Sequence, residues 1–195
     1  MRHKNCERRL KMRSTLIILS FLVIWAASGG CESAGSDFNS SGQKPVSARL
    51  SELGIVLPEV ARPVAAYVNT VETGNMVFVS GQLPMRDGKV VFTGKVGRDI
   101  EPAEAQKAAR LCAVNALAAL KAQIGSLEKV KRIVRLEVFV NSGDGFTGQS
   151  LVANGASELL QKVFGDAGRH TRMAVGVAEL PLNAAVEAAM IVEKK

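Results

Sequence analysis

Between Pro102 and Gly125 the residues Ala105, Ala109, Cys112, Ala116, Leu120 and Ile124 recur at helical spacing, a stripe made mostly of small side chains. Pro102 suits a first helical turn and Gly125 a stop. A helix with so little bulk on its inner face can lie close on a sheet, so the stripe points to a helix-on-sheet architecture. Cys112 sits in that stripe and reads as a buried small hydrophobe rather than a reactive thiol.

The flanking segments supply the sheet. "MVFVSGQLP" from Met76 to Pro84 is β-branched and aromatic, and Asp87-Gly88 in "RDGKVV" is a hairpin signal. "VKRIVRLEVFVN" is a strand, "LVANGASELLQKVFG" a second helix closed by Gly165, and the opening stretch a further strand. The run from Arg172 alternates with period two: Met173, Val175 and Val177 fall on one face, Arg172, Ala174, Gly176 and Ala178 on the other. "AAVEAAMIV" ends the set. The order strand, strand, helix, strand, helix, strand, strand predicts a single α+β domain, a mixed sheet with two helices on one face. The bulky face of the Arg172 strand is expected to meet the core. The other face of the sheet, with Ala174, Gly176, Ala178, Ala185 and Ala189, is expected to pack against copies of the chain.

The positive charge is misleading. The chain has 25 Lys and Arg against 18 Asp and Glu, but residues 1–31 hold six bases and one acid, which leaves 19 against 17. The pI of about 9.6 therefore belongs to the leader and does not argue for nucleic acid. In that leader a basic stretch precedes the apolar run Leu16 to Ala27, then Ser28, Gly29, Gly30 and Cys31. This is the pattern of an export signal, short for a transmembrane span. "SGGC" resembles a bacterial lipobox, with Cys31 as the lipidated first mature residue and Ser28 where an aliphatic residue is usual. Met12 offers a second translation start. Residues 32–47 read as a flexible linker and 48–195 as the domain. That domain holds one cysteine, Cys112, so no internal disulfide is expected, and two histidines in the whole chain assemble no metal site.

Arg172 stands at the mouth of its strand with five N–H donors, suited to an anion or to a salt bridge with Glu187. "FVSGQLP", "FVN", "VANGASELLQKVFG" and "GRHTRMAVGVAELPLNAAVEAAMIV", in that order, resemble the Rid or YjgF-like family, with a chorismate-mutase-like fold, over nearly all of Leu50 to Val192. The resemblance implies a homotrimer with a ligand cleft at each subunit interface, and the cofactor-free hydrolysis of 2-imino or enamino acids to 2-keto acids and ammonia. It implies that Arg172 holds the substrate carboxylate, with Tyr67, Ser80, Gly81, Asn154 and Glu187 as further binding residues. The family's last strand carries two glutamates two residues apart; Glu187 matches the first, and Ala189 stands where the second, which helps to position water, would be. Alanine neither accepts nor relays a proton. A non-catalytic module that grips a small carboxylate is therefore the competing reading. Ribonuclease chemistry finds no basic excess and no paired histidines, and His170 reads as a packing or capping residue.

Overall fold

A computed structural model of the chain describes residues 44–60 and 66–195. The expected signal peptide 1–31, the lipidation site Cys31 and nearly all of the linker lie outside these residues. Every helix and strand named below belongs to the compact unit Ser41–Lys195.

The element order is α1 (Val46–Glu52), β1 (Thr70–Thr73), β2 (Met76–Gln82), β3 (Met85–Arg86), β4 (Lys89–Val90), α2 (Pro102–Ile124), β5 (Val130–Asn141), α3 (Gln149–Phe164), β6 (Thr171–Val177) and β7 (Val186–Lys194). The main sheet runs β1-β2-β7-β5-β6. All its pairs are antiparallel except β5 with β6. The fold is thus the mixed α+β sheet expected, with a short third helix, α1, that begins two residues before the expected domain boundary. Asp87 and Gly88 both take positive φ and turn the β3–β4 hairpin, which forms a separate two-stranded sheet.

The α2 stripe is buried as its spacing requires: Ala105, Ala109, Cys112, Ala116, Leu120 and Ile124 are all in the core. Burial pushes the Cys112 thiol pKa well above its ordinary value, so this free cysteine is inert. Close approach is most demanding between α2 and α3. A Cβ on Gly155 would stand 2.0 Å from the Gln106 carbonyl oxygen, so only glycine permits this crossing.

One expectation is reversed. The parallel register sets Arg172, Ala174 and Gly176 beside Leu136, Val138 and Val140, whose side chains are buried beneath the helices. Ala174 packs against the core. The small-residue face of β6 is therefore the inner one, because α3 lies too close to the edge strand for larger side chains. Met173, Val175 and Val177 fall on the open face instead, level with Glu137 and Phe139. Of the five small residues expected to line that open face, Ala189 alone does so; Ala185 is fully buried and Ala178 lies beyond the end of β6. The open face is more apolar than alanines would have made it. Val71 and Phe78, paired across β1 and β2, remain 53% and 41% exposed there.

Candidate functional site

Arg172 is the second residue of the edge strand β6, and its side chain turns toward α3. Its Nη1 donates to Asn154 Oδ1 at 2.8 Å and to Ser157 Oγ at 3.2 Å. Asn154 and Ser157 are three residues apart and so share one face of the helix. Both acceptors are neutral, and among the described residues no carboxylate pairs with Arg172. Of the five guanidinium protons, Nη1 spends its two on α3. Nε–H and the two Nη2 protons stay unspent among the described residues, and these form the edge that takes a carboxylate with two parallel bonds.

The salt bridge to Glu187 does not form. Glu187 pairs in register with Phe139 on the open face, with β5 between its strand and β6. It belongs to a second group. The register Val79↔Met190 and Gln82↔Ala188 leaves Ser80 and Gly81 as a bulge opposite Ala189. The Ser80 backbone N–H and hydroxyl both donate to the Asn69 carbonyl, at 2.9 and 3.1 Å. Gln82 Nε2 reaches back to the Ser80 and Gly81 carbonyls at 3.2 Å each. A Cβ on Gly81 would fall 1.7 Å from Glu187 Oε1, so the glycine makes the space that the carboxylate fills. Burial raises the pKa of Glu187 above its ordinary value. Tyr67 precedes β1 and is half exposed.

The structure thus brings Arg172 to Asn154, and Glu187 to Gly81. It does not bring the two pairs to each other within one chain. They sit on opposite faces of the sheet, and β2 and β6 are three strand spacings apart, about 14 Å. Ser157 belongs to the site and was not singled out from sequence, although its position three residues after Asn154 is the signal that finds it.

Glu187 yields a pH-dependent expectation. A folded-state pKa raised above 4.5 means that the protonated form suits the fold. The stability it contributes is complete below pH 4.5 and is lost as pH rises through the folded value. Glu187→Gln should therefore melt at or above the wild-type temperature at pH 7 and match it at pH 4. Gly81→Ala should push the flexible carboxylate aside and return its pKa toward the ordinary range, read by carbon-13 NMR titration of the carboxyl. A Glu187 titration left unchanged in Gly81→Ala would contradict the close packing of carboxylate against glycine.

Residues 47–193 match the family model described as "YjgF/chorismate mutase-like, putative endoribonuclease". The chain is 50% identical over 149 residues to protein TCP17 of Trypanosoma cruzi, a match covering 76% of this chain and 93% of that one. It is 34% identical over 140 residues to the 2-iminobutanoate/2-iminopropanoate deaminase of Dermatophagoides farinae, covering 71% and 93%. Among solved structures, the Agrobacterium tumefaciens protein Atu1372, of unknown function, shares 51% identity and a TM-score of 0.72 over 77% of this chain and 93% of its own. A mixed sheet with its helices on one face and a family match along almost the whole domain have one explanation: the chain belongs to the YjgF/Rid family.

Proposed function

We propose that the protein hydrolyses small 2-imino or enamino acids, with Arg172 gripping the substrate carboxylate in a cleft completed by a neighbouring subunit. The observation that carries this reading is the state of the Arg172 guanidinium. Nη1 is anchored by two neutral acceptors, and the Nε/Nη2 edge has no acidic partner among the described residues. An arginine held ready but unpaired is poorly explained as structure and well explained as a receptor for a planar anion. In the reaction, water adds to the imine carbon, the C–N bond breaks, and the products are a 2-keto acid and ammonia. No cofactor takes part. The likeness to a 2-iminobutanoate/2-iminopropanoate deaminase supports the substrate class.

The assembly follows from the same two facts. The apolar open face, carrying Val71, Phe78 and Ile191, needs a cover, and the Arg172 and Glu187 groups need to be brought together. A homotrimer in which the β6 edge of one subunit packs against the open face of the next does both, joining Arg172 and Asn154 of one subunit to Tyr67, Ser80, Gly81 and Glu187 of its neighbour. We place this assembly outside the cytoplasm, tethered to the membrane through Cys31, on the pattern of the leader.

One observation favours a second reading. Ala189, opposite the Ser80–Gly81 bulge, supplies no second carboxylate beside Glu187. A site so built still binds a carboxylate, so a binding module without turnover is the alternative. Light scattering of the full chain should give a trimer, and ammonia release from freshly generated 2-iminobutanoate should exceed spontaneous hydrolysis. Binding of 2-ketobutanoate without that release would select the binding module. Cell fractionation that recovered uncleaved chain from the cytosol would sink the proposed export.

A further inference from the structure

His170 and Ser157 form a directed chain of hydrogen bonds that begins on Arg172 and ends on the Gly168 carbonyl. His170 Nδ1 lies 2.7 Å from the Gly168 carbonyl oxygen and Nε2 lies 3.1 Å from Ser157 Oγ. A carbonyl only accepts, so Nδ1 carries the proton. In the neutral ring Nε2 is then a pure acceptor and the Ser157 hydroxyl must donate to it. That orientation turns the lone pairs of Oγ toward Arg172, whose Nη1 donates to it at 3.2 Å. The order is Arg172 to Ser157 to His170 to Gly168. The far end is rigid, because a Cβ on Gly168 would stand 2.2 Å from the Leu160 carbonyl oxygen, and the buried glycine is pressed against the α3 backbone.

We infer that His170 is a positioning residue for carboxylate recognition: acting through Ser157, it fixes which edge of the Arg172 guanidinium faces the ligand. The inference rests on the carboxylate-binding reading of Arg172. Asn154 alone would hold one Nη1 proton and leave the guanidinium free to swivel about that bond. A second anchor on the same nitrogen removes the freedom, and only a hydroxyl whose own proton is already committed offers a lone pair in a fixed direction. Burial, and secondarily the Arg172 charge, hold the His170 pKa below its ordinary 6.5, which keeps the ring in the neutral form this chain needs. A serine 3.1 Å from an imidazole is also the geometry of a nucleophile and its base. Here Ser157 is only 8% exposed and its oxygen is engaged by Arg172, so the hydroxyl orients rather than attacks.

The full chain supplies two tests. Nitrogen-15 NMR of the imidazole at pH 7.5 should show the Nδ1–H tautomer for His170. This measurement needs no ligand, so it judges the chain of bonds even if carboxylate binding itself fails; an Nε2–H tautomer would overturn the inference. Calorimetric titration with 2-ketobutanoate should show affinity falling about tenfold in Ser157→Ala and in His170→Ala, the scale of coupling within one hydrogen-bonded network. The double variant should be no weaker than either single one, and His170→Gln, which retains an acceptor, should recover part of the loss. Additive losses, or single variants that melt early yet bind normally, would show a role confined to packing. Labelling of Ser157 by a fluorophosphonate would mark it as a nucleophile and equally overturn the assignment.

Discussion

Arg172→Ala is expected to remove the binding of small 2-keto acids almost completely while leaving the melting curve nearly in place. The side chain is exposed and its two partners, Asn154 and Ser157, are neutral. Its loss therefore strands no buried charge, and stability should change by no more than about 1 kcal/mol. Binding is another matter, since each charge-assisted bond to a carboxylate is worth about 1.5–3 kcal/mol, and losing the pair should weaken affinity at least about 100-fold. Arg172→Lys should recover little. A lysine ammonium is a point donor that cannot keep two bonds to α3 and still offer a planar edge. Calorimetric titration alongside thermal unfolding separates the effects. An early-melting alanine variant together with an unaltered affinity in the lysine variant would falsify the receptor role.

Gly155→Ala should be the most destabilising single-methyl change in the described domain. The new methyl would meet the Gln106 carbonyl at 2.0 Å, and that atom belongs to the backbone of α2, which cannot swing aside as a side chain does. The helices must part, as in an overpacked core, at a cost of about 1–3 kcal/mol. For a chain of this size that lowers the melting temperature by roughly 2–4 °C per kcal/mol. The damage should also reach the site, because Asn154 and Ser157 flank Gly155 on α3 and move with it. Gly155→Ala should therefore weaken 2-ketobutanoate binding as well. Wild-type melting of Gly155→Ala in a thermal scan would show that α2 and α3 stand further apart than that contact requires.

His170 illustrates how far sequence reading reaches into the site. A histidine after a glycine-arginine pair reads locally as a packing or capping residue, and its bond to the Gly168 carbonyl is of that local kind. Its other bond crosses to Ser157 on α3, and no local pattern announces it. Arg172 was visible because an arginine at the mouth of an alternating strand is conspicuous. Asn154 and Glu187 were placed by family resemblance, and their grouping into two separated pairs depends on strand order.

The same division holds for the fold. Helical spacing of small residues determined α2 and its buried face, period-two alternation determined β6, and Asp87-Gly88 determined the hairpin turn. These patterns are local: they record which backbone conformation buries one face of a segment. Tertiary structure decided which face of β6 became the inner one. Alternation shows that two faces differ but not which is covered, and the close approach of α3 gave the inner side to Ala174 and Gly176 while Val175 and Val177 took the open one. It likewise decided that β7 inserts between β2 and β5, which separates Arg172 from Glu187, because strand pairing joins residues far apart in sequence through backbone hydrogen bonds that every residue type can make.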